Sequence, residues 1–180
     1  MSLIYGPSAI AFSNISPDYY LVGVGPYIRI YKNDIFVTEH CIFPMTTRIV
    51  YIAENDKYTI AYASNIVKII AFNPDFSSYS IVRSEEFEDN VIAASIDEFQ
   101  SSEENLSLSV VLHHGQLCRV TDTITVSQPK VWKIVTSAYI VNPDMFISGD
   151  SFGGISVFYP KSSTEITKET EFGTVFEIDF

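Results

Sequence analysis

The chain has 180 residues, of which 47% are hydrophobic and 18% charged; this composition excludes a disordered segment and suffices for a packed core. The net charge of −11, from 11 basic and 22 acidic residues, repels phosphate and argues against strong nucleic-acid binding by this chain alone. Two cysteines make no disulfide framework, and neither a secretory signal nor an apolar stretch of about 20 residues is recognisable. We therefore predict a reducing environment, cytoplasmic or nuclear, and assign the chain to the cytoplasm.

Aromatic residues are abundant, with 13 Phe and 11 Tyr, which is typical of half-buried β-sheet surfaces. Four segments of similar pattern start at residues 8, 47, 91 and 131, so successive starts are 39, 44 and 40 residues apart. This period is that of a four-stranded propeller blade. We predict one partial β-propeller over residues 1–180, with blades at approximately 8–43, 47–87, 91–127 and 131–172 and the first strand of a further blade at 173–180.

Each segment contains the same succession of strands. An apolar first strand and a polar turn precede a second strand, which reads YYLVGV, YTIAYA, LSVVLH and MFISGD in the four segments. A tight turn leads to a third strand, YIRIY, VKIIAF, QLCRV and GISVF, and then to an alternating outer strand, IFVTEHCIF, YSIVRSEEF, TITVSQP and TEITKETEF. Apolar runs indicate strands that are buried on both faces, and alternating apolar and polar residues indicate a strand with one face exposed to solvent. Helical periodicity is almost absent from the sequence. The sequence therefore predicts an all-β fold of propeller blades.

The stretch LVGVGPYIRIY contains Gly23 and Gly25, which a nucleotide-binding turn could also use. A G-x-G-x-x-G phosphate site requires a third glycine and the N-terminus of a helix. Here Ile28 occupies the third position, a strand pattern follows, and Pro26 removes a backbone N–H donor at the corner. We therefore predict a hairpin corner and no cofactor site at these glycines.

Two places carry residue types that bind metals: His40-Cys41, and His113-His114 with Cys118. Structural zinc sites use closely spaced Cys and His pairs, whereas adjacent residues of a strand point to opposite faces. His114 and Cys118 are four residues apart but lie on the two sides of a predicted turn. We predict that these side chains satisfy contacts between strands and that they bind no metal.

No catalytic nucleophile stands out, because the G-x-S-x-G, H-E-x-x-H and P-loop motifs are missing from the sequence. The pairs Glu85-Glu86 and Glu103-Glu104 lie in the hydrophilic runs SEEFEDN and DEFQSSEEN, which are typical of solvated loops. Trp132, the only tryptophan, is predicted to pack in the core rather than to bind a partner. We predict that the chain is not an enzyme and has no catalytic residue, cofactor or small-molecule substrate.

The fourth segment resembles a WD-repeat blade. Its second strand closes on Ser148-Gly149, a glycine-containing turn follows, and ISVF forms the third strand. Phe158-Tyr159 stands where WD repeats have Trp-Asp, Phe152-Gly153 stands where they have Asp-Gly, and the first segment ends in Tyr31-Lys32. These departures remove residues on which the Asp-centred hydrogen-bond network of strong WD repeats depends.

The order of several short motifs resembles one WD-repeat family more closely. GPSAIAF, LVGVGPYIRIY, TRIVYIA, FISGDSFGGISVF and EFGTVFEIDF are similar to the first blades of the WD-repeat protein six family. That family has a GxGPYxxxY corner in its N-terminal blade and a Gly-x-Val-Phe-x-Ile-x-Phe strand at the start of its fifth. The latter motif is matched here by Gly173, Val175, Phe176, Ile178 and Phe180, and the resemblance covers essentially the whole chain.

Members of this family, including the fungal counterparts, are the non-catalytic partners of a tRNA ribose 2′-O-methyltransferase. The resemblance therefore implies a scaffold that partners the enzyme acting on the anticodon wobble nucleotide, with the S-adenosylmethionine site on the catalytic subunit and tRNA contacted indirectly. One alternative is a generic WD-repeat interaction module in ribosome biogenesis or membrane trafficking. Another, from a different class, is a small enzyme or metal protein.

The length of the chain bears on ring closure, because seven blades need roughly 280 residues at about 40 per blade. We therefore expect a fragment or truncated product with an open arc of blades rather than a closed four-bladed ring. An open arc exposes apolar faces and unpaired strand edges. We expect the isolated chain to oligomerise or to be poorly soluble, and a sharp monomeric peak in light scattering would contradict this expectation.

Overall fold

The computed structural model describes residues 6–14, 16–45, 47–54, 57–97, 106–127, 134–142 and 144–159, and the backbone of 164–169. Within these ranges the chain forms 16 β-strands and no helix, arranged as four antiparallel four-stranded sheets in which consecutive strands pair. The predicted all-β fold of four-stranded blades is confirmed. The described part of the chain contains no helical segment with the length and hydrophobicity that a membrane crossing requires.

The chain divides into two compact units, Met1–Glu88 and Asp89–Phe180. Sheet one of the first unit consists of β1 (Pro7–Phe12), β2 (Tyr19–Val24), β3 (Tyr27–Lys32) and β4 (Ile35–Cys41). Sheet two consists of β5 (Tyr51–Glu54), β6 (Thr59–Ala63), β7 (Ile66–Phe72) and β8 (Tyr79–Glu86).

The second unit contains the other two sheets. Sheet three consists of β9 (Val91–Asp97), β10 (Ser107–Leu112), β11 (Leu117–Val120) and β12 (Ile124–Ser127). Sheet four consists of β13 (Val135–Asn142), β14 (Met145–Asp150), β15 (Gly154–Tyr159) and β16 (Thr164–Glu169).

The core of the first unit is formed by apolar side chains of sheets one and two. Leu21 and Ile30 face it from sheet one, where they lie opposite each other on β2 and β3 and so share a face, and Ile52 and Ile70 face it from sheet two. Phe76, in the loop between β7 and β8, is fully buried in the same cluster. The second strand of each sheet carries mostly buried residues. The outer strands β4, β8 and β12 are largely exposed or alternate, as the sequence patterns indicate.

The second unit has its own apolar cluster. Val111 and Leu117 contribute from sheet three, and Phe146 and Phe158 contribute from sheet four with ring centroids 5.2 Å apart. Aromatic pairs at such a separation stabilise a core beyond the area that they bury. Phe158 occupies the position of the WD-repeat tryptophan and packs inward, so this departure from the consensus still provides a core aromatic.

The first strand of sheet two begins inside the apolar run TRIVYIA of the sequence. β5 begins at Tyr51, four residues after the start of the segment at Thr47. The Val50 N–H donates to the Tyr62 carbonyl of β6 at 2.9 Å, and the Ile49 N–H donates to the carbonyl of Gly25 at 2.9 Å. β13 begins at Val135, and Trp132 lies outside the described residues together with Glu103, Glu104 and residues 173–180.

The first three residues of SEEFEDN belong to the predicted outer strand YSIVRSEEF rather than to a solvated loop. Ser84 to Glu86 lie in β8 and pair with β7 in the register Ile66↔Glu86 and Val67↔Glu85. The strand continues because alternate charged side chains of an outer strand extend into water without disturbing the backbone ladder.

Tyr62 of β6 stacks on Tyr51 of β5, with ring centroids 5.0 Å apart. Burial raises the pKa of Tyr62 far above its ordinary value of 10.0, and the neighbouring Tyr51 adds to this shift. A group whose pKa is higher in the folded than in the unfolded state stabilises the fold below the unfolded-state pKa. This stabilisation is lost as the pH rises from the unfolded-state pKa through the folded-state pKa. We expect the free energy of unfolding, measured with urea between about pH 8 and pH 11, to fall less steeply in Tyr62→Phe than in the parent. Identical slopes for the two proteins would contradict the expectation.

Candidate functional site

The turn between the second and third strands of each sheet, here called its corner turn, contains one residue with a positive φ. Such backbone is readily adopted by glycine and strained for other residues. The four residues and their φ values are Gly25 (58°), Ser64 (55°), Gly115 (82°) and Gly153 (90°).

The first corner turn is the Gly25-Pro26 pair that joins β2 to β3, so the predicted hairpin corner is confirmed. Its carbonyls are occupied: the Gly25 carbonyl accepts the Ile49 N–H at 2.9 Å, and the Pro26 carbonyl accepts the Ile42 N–H at 2.9 Å. Gly23 serves close packing, because an added Cβ would lie 3.0 Å from Cγ2 of Ile49. The two glycines thus connect sheet one to the segment that enters sheet two.

We expect Gly25→Ala to lower the free energy of unfolding by about 1–2 kcal/mol, the cost of left-handed backbone for an L-residue. Thermal and urea unfolding followed by circular dichroism measure the loss. Gly6→Ala is the matched control, because a Cβ there has no heavy atom within 4 Å. Equal stability of the two variants would contradict the role assigned to the corner.

The structure separates the residues that could have bound metals. The His40 ring, on β4, places Nε2 2.8 Å from the carbonyl oxygen of Phe76, and the Cys41 thiol donates to the Phe43 carbonyl at 3.4 Å. Cys118 is buried in β11, and both cysteines are free thiols. His40 thus contacts the loop between β7 and β8, whereas the hydrogen bond of the Cys41 thiol is local and reaches a residue two positions later.

His113 and His114 lie in the third corner turn, beyond the end of β10, so the expectation that the pair points to opposite faces of a strand is wrong. Their rings contact each other with centroids 5.3 Å apart. Asp89 joins them: its Oδ2 lies 2.6 Å from Nδ1 of His114 and accepts the His114 backbone N–H at 3.1 Å. One ligand atom from each of the three residues lies within 4.8 Å of the other two. Among the described residues, this is the one group of three or more His, Cys, Asp or Glu side chains close enough to share a metal ion.

The Asp89 carboxylate is held in its ionised form. Partial burial would raise the pKa of this group, but hydrogen bonds from the His114 ring and from the Asn90 backbone N–H outweigh it and lower the pKa. Oδ1 accepts the Asn90 N–H at 2.7 Å. The cluster therefore presents a negative charge beside two imidazoles.

The fourth corner turn is built on Asp150. Its Oδ1 accepts the backbone N–H groups of Phe152 and Gly154, each at 2.8 Å, which closes the turn around Gly153. A Cβ on Gly154 would overlap Oδ2 of Asp150, so any larger residue there would force this carboxylate to shift. A buried aspartate thus holds this turn although the consensus Asp-Gly dipeptide is replaced.

The acidic pair Glu85-Glu86 is bound by neighbouring polar groups. Glu85 accepts from Nε of Arg83 at 2.7 Å, and Glu86 accepts from Nδ2 of Asn65 at 3.3 Å. Asn65 also bridges to the following segment, since its Nδ2 donates to the Phe87 carbonyl at 2.8 Å. These contacts assign both glutamates to the support of sheet two and its corner turn.

Four aromatic rings cross the outward face of sheet one, one from each strand, and we call them the aromatic strip. Register places them side by side: Phe12 opposite Tyr20, Tyr20 opposite Tyr31, and Tyr31 opposite Phe36. Successive ring centroids are 6.2, 5.1 and 5.8 Å apart. Phe12 is 74% exposed and Phe36 is 52% exposed, so the two ends of the strip face solvent.

Polar groups border the aromatic strip. The Tyr20 hydroxyl donates to Asp34 at 3.2 Å, and desolvation together with this hydrogen bond raises the pKa of Tyr20. On the other side, Nε of Arg29 lies 3.0 Å from Oε2 of Glu39. An apolar, aromatic centre with a polar rim is the organisation of a protein–protein interface.

Comparisons with known proteins concern the fold. The sequence matches no protein-family model, and no curated protein matches it. Among solved structures, it is similar to the WD40 β-propeller domain of Doa1, with 12% identity, a TM-score of 0.71, and coverage of 92% of this chain and 55% of that one. It is also similar to BBS1N, solved in complex with ARL6DN, with 15% identity, a TM-score of 0.66, and coverage of 93% and 53%. The chain has the fold of WD40 propeller blades and spans about half the length of these structures.

Proposed function

We propose that this chain is a non-catalytic protein-interaction scaffold, and that its partner is the catalytic subunit of a tRNA ribose 2′-O-methyltransferase that acts on the anticodon wobble nucleotide. The aromatic strip of sheet one carries the proposal of a scaffold. Exposed aromatic clusters of this kind mark protein interaction surfaces, and aromatic residues are enriched among interface hot spots.

The choice of partner rests on the GPYIRIY corner and the order of the motifs, which resemble the WD-repeat protein six family. The aromatic strip belongs to the same segment, since Tyr31 ends that corner motif. The net charge of −11 supports binding to protein, with the basic contacts to tRNA supplied by the catalytic subunit. We place the complex in the cytoplasm, where the free thiols of Cys41 and Cys118 remain reduced.

Affinity purification of the tagged chain from the organism that encodes it, followed by mass spectrometry, tests the proposed partner. We expect the methyltransferase catalytic subunit to co-purify in a stoichiometric amount. A tagged variant carrying Phe12→Ser and Phe36→Ser serves as the control for capture through the aromatic strip. Recovery of other proteins without the catalytic subunit would contradict the proposed partner.

A second candidate is a generic interaction module in membrane trafficking or ribosome biogenesis. The similarity to BBS1N, whose structure contains a bound ARL6DN, favours this candidate because a related fold there binds one protein. The same purification distinguishes the two candidates, since a trafficking or ribosome-assembly protein would replace the methyltransferase.

A further inference from the structure

In contrast to the sequence-based expectation that His113 and His114 bind no metal, we propose that Asp89, His113 and His114 form a binding site for a divalent transition-metal ion, with Zn²⁺ as the representative. Each residue offers one ligand atom, and these atoms lie within 4.8 Å of one another. Two imidazole nitrogens and a carboxylate oxygen are the donors of three-ligand zinc sites, which leave a further position open. Imidazole ligands favour zinc, nickel and copper over the hard ions magnesium and calcium.

The backbone holds the two histidines in place without the ion. The His113 N–H donates to the Asn90 carbonyl at 2.8 Å, and the His113 carbonyl accepts the Val135 N–H at 2.8 Å. The Gly115 N–H donates to the Leu112 carbonyl at 2.8 Å and closes the turn. Because loop and turn are already joined, binding orders only side chains, which lowers its entropic cost.

The hydrogen bond between Asp89 and His114 occupies the position that the ion would take. Its 2.6 Å length is shorter than the separation of about 3.3 Å between two ligands of a tetrahedral zinc. The ion therefore enters as the two side chains rotate apart and the shared proton leaves, because metal ligands must be deprotonated. Solvent reaches the cluster, since the His114 side chain is 47% exposed and that of Asp89 is 20% exposed.

A structural ion pair between Asp89 and His114 is the competing explanation, and His113 distinguishes the two. An ion pair that only joins the loop to the turn involves Asp89 and His114. A metal site also requires the ring of His113, which contacts His114 but takes no part in that pair. Substitution of His113 therefore tests the metal site directly.

Calorimetric titration of the untagged, EDTA-treated chain with Zn²⁺ is the experiment, with Co²⁺ absorption spectra as a second readout. We expect one bound ion per chain, and affinity weakened about tenfold or more in Asp89→Asn, His113→Gln and His114→Gln, since loss of even an outer-shell partner costs that much. His40→Gln is the matched control and should bind like the parent, because glutamine retains an N–H for the Phe76 carbonyl.

Absence of zinc binding by the parent chain would overturn the proposal. Binding by His113→Gln as tight as that of the parent would also overturn it. Far-ultraviolet circular dichroism of each variant verifies the fold, and if Asp89→Asn loses structure, the folded His113→Gln protein decides the outcome.

Discussion

Phe76→Ala is expected to lower the free energy of unfolding by about 3–5 kcal/mol, the usual cost of removing a fully buried aromatic ring. The ring lies in the core of the first unit, with its centroid 5.0 Å from that of Tyr19 and 5.4 Å from that of Phe72. Urea unfolding followed by fluorescence or circular dichroism measures the loss. Phe12→Ala is the control, because this phenylalanine is largely exposed, and its effect should stay below about 0.5 kcal/mol.

The backbone of Phe76 provides a second test, since its φ of 58° is unfavourable for phenylalanine and alanine alike. Phe76→Gly loses the same ring but relieves this strain, so it should be no less stable than Phe76→Ala. A loss in Phe76→Ala no larger than in the Phe12→Ala control would contradict the position of Phe76 in the core.

Substitution of both ends of the aromatic strip, Phe12→Ser with Phe36→Ser, is expected to weaken partner binding about thirtyfold, equivalent to about 2 kcal/mol. Exposed aromatic anchors contribute this much to an interface and little to the stability of the unbound chain. Calorimetry with the purified methyltransferase catalytic subunit measures the affinity. The unfolding curve of the double variant should stay close to that of the parent.

A matched control for the aromatic strip lies on β12 of sheet three. Ile124 and Val126 are 48% and 49% exposed, so Ile124→Ser with Val126→Ser removes exposed apolar surface elsewhere. This control should bind the partner with parental affinity. Equal weakening by both double variants would indicate a general loss of hydrophobicity and would contradict the assignment of the interface to the strip.

Local patterns were sufficient to predict the strands and their order. Runs such as YYLVGV and MFISGD became β2 and β14 with identical bounds, because a buried strand flanked by turns depends mainly on its own residues. The hydrogen bond from the Ile49 N–H to the Gly25 carbonyl could not be predicted, because the two residues are far apart in sequence.

The two candidate sites depend on geometry that local patterns do not contain. The aromatic strip requires the irregular register between Ile30 and Tyr31, which brings Phe36 opposite Tyr31. Asp89 and His114 are 25 residues apart and meet only because a corner turn contacts the loop before its own sheet. Sequence spacing placed the two adjacent histidines on a strand, whereas the strand ends at Leu112.

Ribose methylation of the wobble nucleotide is the most direct measure of the proposed function. It can be quantified by mass spectrometry of tRNA from cells that lack the gene for this chain. We predict that methylation is lost, that the parental gene restores it, and that the gene carrying Phe12→Ser and Phe36→Ser does not. Wobble methylation that persists unchanged after deletion of the gene would contradict the proposal that this chain is the scaffold of the methyltransferase.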